Sequence, residues 1–510
     1  MPKGTDAVAR PSHSSAQHYW AAVLLACGAA LAVFWHFSTR DAPPPVVMRP
    51  TLVVLPLHAP GANTPEQTLL AQGLSHDLPA RLAHVHGLRT IGATSAEHAQ
   101  SQKFDLVQLA ETLGVNRALE GSLRQADDHL LVELRLSAVP DGRTLWAQAY
   151  TRRREDWLDL ERQIAVAVAD ALELKYDAPV ASNPVNPQQL LDYLAARRLL
   201  DGGDHARGVQ ALRTLGAAAP DFAIAHATLA RALVEDLRRE DADADTVAEI
   251  SANLKRARAH DPALADARMT EAILACRAAD WDACFGAFRA ALALDPLDTD
   301  CRITYAYWLA GLGYVAQALH ETESAWAADP LSYDANFARA RLLDTLGRHD
   351  EAKQFLDGAT PPTAGLVYAR WHNALWRGDL AAARDYAAAM PQSDGFRESY
   401  LGITEAFADP TRWAQVQPLI GTSERATGRI NILRAMLPNP DCPVELAGLE
   451  RMLRNGWPSY YLLLWMPEYR MLRTDAAFPA FLQRTGILEY WRRSGFPPQC
   501  HALADSARCD

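Results

Sequence analysis

A chain of 510 residues is more than one hydrophobic core serves and corresponds to about three or four domains. Its 49% hydrophobic and 22% charged residues are those of folded protein, not of a disordered chain. A net charge of −11 argues against a nucleic-acid surface, which needs a Lys/Arg excess to displace counterions.

In chain order, residues 1–19 read as a short tail and residues 20–38 as a transmembrane helix. The run WAAVLLACGAALAVFWHF, Trp20 to Phe37, has one ionisable residue, His36. Eighteen helical residues span about 27 Å, close to the roughly 30 Å hydrocarbon core. Tyr19, Trp20 and Trp35 stand at its ends, where amphipathic rings favour the headgroup zone. Leu24-Leu25-Ala26-Cys27 loosely resembles a lipoprotein cleavage box, an alternative use of the same segment. Lys3 and Arg10 on one side balance Arg40 and Arg49 on the other, so loop charge does not set orientation. Residues 39–50, with Pro43-Pro44-Pro45, form a stiff linker.

Residues 51–178 read as a small mixed α/β domain. Thr51 to Leu57 is a β-branched strand. Pro65 to Val85 is a helix with Leu70, Leu74, Leu78 and Leu82 at helical spacing, and Leu88 to Ile91 is a second strand. Asp105 to Leu113 reads as a helix capped by Asp105 and ended by Gly114. Three strands follow, at Ala118 to Gln125, Leu130 to Ala138 and Thr144 to Arg152, and a helix from about Asp156 to Leu174 closes the unit. Arg152, Arg153 and Arg154 run straight into Glu155 and Asp156, so they read as a solvated strand end.

The blocks VVLPL, LLAQGLSHDLPARL, GLRTIGATSA, LAETLGVNRALEGSLRQ and DGRTLWAQAYTRR resemble the extracytoplasmic domain related to the amino-terminal domain of TolB and to the flagellar assembly protein FlgO. That resemblance covers about Thr51 to Leu174. It implies a place between a single transmembrane helix and tetratricopeptide repeats, as in CadC-type membrane regulators. Those carry a cytoplasmic winged-helix domain before the membrane. Here about nineteen residues stand there, so the regulator role does not carry over.

Residues 187–391 read as an all-α tetratricopeptide-repeat solenoid. Pro262, Pro296 and Pro330 stand 34 residues apart, one repeat each. Ala272, Phe288 and Ala291, then Ala306, Ala318 and Ala325, then Ala340, Ala352 and Ala359, take the small and large packing sites. Two looser units precede, the second with an insertion near Arg239 to Asp245, and residues 392–510 read as irregular and helical. The first helix of each pair should line a concave groove through Met269, Ile273, Asp300, Ile303, Tyr307, Asp334, Phe337, Arg341 and Asp344. Such an apolar-aromatic face suits an extended or helical peptide; solvated or inter-repeat positions are the competing reading.

No catalytic residue, cofactor or metal site is expected. The chain has no G-x-x-x-x-G-K-[ST], H-E-x-x-H or G-x-S-x-G, and no Cys-x-x-Cys among its seven cysteines. Gly311, Gly313 and Ala316 imitate a dinucleotide fingerprint but fall between two repeat helices rather than after a strand. His76, His84 and His86 with Asp77 read as solvent-facing, not as metal ligands. Cys276–Cys284 and Cys500–Cys509 are the local pairs open to oxidation, with buried free thiols the alternative. The expectation is therefore a non-enzymatic scaffold or sensor in the bacterial inner membrane, single-pass, with its bulk in the periplasm. It would bind a protein or peptide through the repeats and no nucleic acid. The alternative is a signalling or transcription-regulator relative without its cytoplasmic DNA-binding output domain.

Overall fold

The computed structural model describes residues 49–416 and 462–510 except 62–63, 127, 178–185, 240–243, 360–365 and 391–395, with scattered positions from 446 to 458. Pro50–Asp510 forms one compact unit. Among the described residues no helix is long and apolar enough to cross a membrane. The longest, Pro65–Leu82, carries Glu66, His76, Asp77 and Arg81, and ionised side chains are costly in hydrocarbon. This corrects the expected fold class with its transmembrane helix, and the single-pass inner-membrane location with it. The segment that suggested them, residues 20–38, lies outside the described residues. What the structure supports is a mostly helical, solenoid-like fold joined to a small sheet.

The sheet runs β2-β1-β3-β4-β5. β1 (Thr51–Val54) pairs parallel with β2 (Arg89–Thr90) and β3 (Arg117–Ala126). β4 (His129–Ala138) and β5 (Thr144–Arg153) continue it antiparallel. In β4, Leu130, Val132, Leu134 and Leu136 are buried. Glu133 and Arg135, on the opposite face, pair with Arg124 and Glu120. Such alternation fixes which face receives helices.

Helix α1 (Pro65–Leu82) starts with Thr64 as N-cap and Pro65 in its first turn, and buries Leu70, Leu74, Leu78 and Leu82. α2 (Ala93–Ser101) was not foreseen, because ATSAEHAQS buries only Ser95, Ala96 and Ala99 and shows no large apolar stripe. α3 (Leu106–Leu113) has the expected Asp105 cap, here a capping box with Gln108, and ends at Gly114 with φ +63°. α4 (Trp157–Ala171) packs beside α1 through Leu160, Ile164 and Val168.

Among the described residues of 187–391 every element is a helix. The helices run α5 (Pro187–Asp201), α6 (His205–Ala218), α7 (Ala223–Arg239), α8 (Ala244–His260), α9 (Ala265–Arg277), α10 (Trp281–Leu294), α11 (Thr299–Gly311), α12 (Val315–Ala328), α13 (Tyr333–Thr345), α14 (His349–Gly358), α15 (Leu366–Trp376) and α16 (Leu380–Ala388), followed by α17 (Phe396–Ala408). Asp280, Asp298, Ser332 and Asp379 cap helix starts with their side chains. Gly313, Gly347 and Gly378 take positive φ where the two helices of a pair meet, a turn that a residue without Cβ makes at no steric cost. Asp261, Asp295 and Asp329 each precede the register proline; Asp261 and Asp295 accept from the backbone N–H two residues on. The expected small and large packing residues are buried, except Ala359, which lies just beyond α14 and is only half-buried. A disulfide joins Cys276 to Cys284 across the α9–α10 turn, and Cys301 is a buried thiol.

The two edges of this stack are both occupied by the same chain. The sheet unit docks on the turns that link one repeat to the next. His84 Nε2 donates to Leu294 O (2.9 Å) and Gly92 N to Ala328 O (2.8 Å). Ser95 N donates to Asp329 Oδ1 (2.8 Å), its hydroxyl bonds the same oxygen, and Leu331 N donates to Ser95 Oγ (2.9 Å). Leu331 enters the small core of Val53, Ile91, Leu109 and Ala118. Along the opposite edge lie α18 (Leu462–Trp465), α19 (Arg470–Thr474), α20 (Phe478–Arg484) and α21 (Ile487–Ser494). There Trp465 and Trp491 indoles donate to Gly311 O and Leu312 O, each at 2.9 Å, and Trp281 donates back to Thr485 O at 3.0 Å. The chain ends in a hairpin, β6 (Cys500–Ala502) and β7 (Ala507–Cys509), closed by the Cys500–Cys509 disulfide. The last helix ends at Ser494, and the hairpin beyond it has no counterpart in the sequence reading, because its three-residue strands are too short for an alternation to be read.

Candidate functional site

The nine expected groove positions all lie on the first helices of their pairs, α9, α11 and α13, but they do not form one open channel. Met269 and Ile273 are buried, as are Ile303, Arg341 and Asp344; Tyr307 and Phe337 are half-buried; Asp300 and Asp334 are exposed. The Tyr333 and Phe337 rings pack at a tilt with centres 5.7 Å apart. Arg341 carries a guanidinium pushed below its usual range by burial, against the pull of Asp344, Tyr307 and Tyr469. Its Nη1 has no hydrogen-bond partner among the described residues. Asp344 Oδ1 accepts from His349 Nδ1 (3.0 Å) and Asn373 Nδ2 (2.8 Å), so this carboxylate holds neighbouring helices together. Arg341 and Asp344 are thus interior residues, and Tyr469 from the C-terminal segment is their neighbour.

Met269, Ile273 and Asp300 belong elsewhere. They share a cavity of about 690 Å³ between α1, α2 and α4 on the sheet side and α5, α7, α9 and the start of α11 on the repeat side. Its wall carries nine carboxylates, three arginines and three histidines. Arg231 is surrounded by Asp266, Asp298 (3.2 Å) and Asp300 (2.7 Å), and its pKa is raised because those carboxylates outweigh the burial that opposes its charge. Arg197 Nη1 donates to Asp77 Oδ1 at 2.9 Å. Burial pushes the Asp77 carboxyl up, but Arg197 and His76 more than offset it and hold it below the carboxylate range. Arg81 Nε donates to Glu161 Oε2 at 3.2 Å. Even so, burial, helped by the negative Asp77, raises Glu161 to about 7 against the opposing pull of Arg81 and Trp157. Asp295 is raised to about 6 by burial and by Asp298.

Of the nine wall carboxylates, Asp300 is among the expected groove positions and Asp77 stands with the histidines weighed as metal ligands; the other seven have no sequence expectation attached. A signal was present. Asp266, Asp300 and Asp334 recur at one repeat position, and Asp261, Asp295 and Asp329 at another. The histidines weighed as metal ligands are separately engaged. His76 Nδ1 meets Asp77 (3.3 Å), His84 bonds Leu294 O, and His86 Nε2 meets Asp177 (3.0 Å). Among the described residues no group of three or more side chains is placed to hold a metal ion. Gly311 and Gly313 lie at the turn between α11 and α12, with their carbonyls accepting from Trp465 and Gln499.

No family model matches the chain. It is 29% identical over 138 residues to a putative adenylate cyclase 3 of Rhizobium meliloti (strain 1021), a match covering 27% of this chain and 23% of that protein. The chain therefore spans about a quarter of that curated relative's length. Among solved structures it is similar to PilW, a type IV pilus biogenesis factor, at TM-score 0.34 and 16% identity, covering 46% of this chain and 100% of that one. For Pseudomonas aeruginosa PilF the figures are 0.32 and 15%, covering 45% and 96%. Naa15/Naa10 bound to HypK-THB is similar at 0.24 and 16%, covering 60% of this chain and 52% of that one. These scores are too low to carry an argument, so the repeat reading stands on the chain's own helical pairs.

Proposed function

We propose that this chain is a non-enzymatic interaction scaffold whose repeats bind a protein or peptide. The α/β unit at 51–178, the repeats at 187–391 and the region at 392–510 are the working parts of that reading. One observation supports it above others: on the inner helices, exposed Asp334 lies beside half-buried Tyr307 and one turn before half-buried Phe337. A carboxylate beside aromatic rings suits a peptide with basic and apolar side chains. The test is affinity capture with the full chain, followed by Asp334→Ala and Phe337→Ala. A specific partner should be lost or weakened at least tenfold. Retention of every specific partner by the double variant ends the proposal.

A second reading makes the chain a relative of signalling regulators. The 138 residues shared with a putative adenylate cyclase favour it. An upstream reading frame that continues into a helix-turn-helix pattern would support this reading over the first.

A further inference from the structure

Three features of the cavity beneath the sheet point to a ligand. The first is space. A volume of about 690 Å³ falls within the roughly 300–1,000 Å³ typical of small-ligand sites. It lies at the junction of two structural layers, where such sites concentrate. Beside the charged groups, Leu264, Met269 and Ile273 offer an apolar strip.

The second is charge. Each of the three wall arginines is already committed, Arg81 to Glu161, Arg197 to Asp77, and Arg231 to three aspartates at once. Nine carboxylates therefore share the wall with three guanidinium groups and three histidines, so acidic groups outnumber basic ones. Wall carboxylates in low dielectric repel one another and favour an entering cation.

The third is a buried acceptor left over. The Glu161 side chain is only 2% exposed, and it accepts from Arg81 through Oε2. Its Oε1 has no well-formed hydrogen-bond partner among the described residues, although the Trp157 side chain lies close enough to favour the charged form. Burying this carboxylate is costly, and a cation entering the cavity that Glu161 lines lowers that cost by favouring its charged form.

From these we infer that the cavity is a binding site for an organic cation, an ammonium or guanidinium group on an aliphatic stem, received by Glu161 and the carboxylates Asp295 and Asp298. The described residues do not gather metal donors there, and several N–H donors on one cation match several separated carboxylates better than a point charge does. The cation can arrive as a free small molecule or as a side chain of a peptide; the chemistry at the wall is the same. The site does not depend on peptide capture by Asp334 and Phe337, neither of which lines it.

The test is calorimetric titration of the full chain with three probes: L-argininamide, its neutral analogue L-citrullinamide, and the capped peptide Ac-Ala-Arg-Ala-NH2. The expected result is binding of argininamide, of the peptide, or of both, at least tenfold tighter than citrullinamide. Binding should fall at least tenfold in Glu161→Gln and in Asp295→Asn, and stay unchanged in Glu133→Gln, an exposed position on the far face of the sheet that does not line the cavity. Near-ultraviolet circular dichroism checks that each variant is folded; if Glu161→Gln is not, Asp295→Asn decides. Argininamide alone would identify a free cation as the source, and the peptide alone a side chain. Equal binding of the neutral analogue, silence of both cations, or wild-type affinity in the folded variants would overturn the inference. Capture of a protein partner through Phe337 with no cation binding would sink it while leaving the scaffold proposal standing.

Discussion

Glu161 shows how a single side chain acquires its character from its surroundings. In sequence it is one more helical glutamate in LDLERQ; in the fold burial raises its carboxyl from 4.5 to about 7. Because the folded pKa lies above the unfolded value, the folded chain binds the proton more tightly. This contribution is fully present below about pH 4.5 and is lost as pH rises through about 7. Glu161→Gln fixes a neutral side chain at that point. The stability of the variant relative to the native chain should therefore rise between pH 4.5 and 7, by on the order of 2–3 kcal/mol at most. Thermal melts across that range measure it, with Asp77 and Arg81 present in both proteins. Parallel curves would show that the carboxyl titrates normally. Nothing in the chain order marks Glu161, since its neighbours Arg81 and Asp77 are about 80 residues away.

At the scale of elements, the helix pairs were legible because their physics is local. Capping aspartates, positive-φ glycines and prolines act within a few residues, and the 34-residue recurrence multiplies that signal. α2 was missed because it is held by Ser95 and Asp329, 234 residues apart, rather than by a stripe of its own. The C-terminal helices are likewise held from outside. Trp491 is fully buried and its indole donates to Leu312 O. Trp491→Ala removes both the packing and the donor and should cost about 3–5 kcal/mol. Urea unfolding reads the loss; a shift of under about 1 kcal/mol would mean that α21 is only loosely attached.

For the whole molecule, the docking of the sheet unit on the repeats is the decisive event. Asp329 is buried, and despite four hydrogen bonds from Ser95 and Thr94 burial keeps its carboxyl above the ordinary value. Asp329→Ala leaves the Ser95 N–H and hydroxyl without their acceptor, at a cost of about 1–3 kcal/mol per unsatisfied group. One calorimetric transition is expected for the native 50–510 unit and two for Asp329→Ala, as sheet and repeats uncouple. Two transitions in the native chain would contradict the shared core. Sequence by itself determined the strands of the five-stranded sheet, the helix pairs and their period, because alternation, caps and turn chemistry are written in neighbouring residues. Only the tertiary structure decided which faces are open: the expected groove is part cavity wall, part interior, because the sheet and the C-terminal tryptophans cover the two edges of the stack. Contacts between residues hundreds of positions apart leave no periodic trace in either partner.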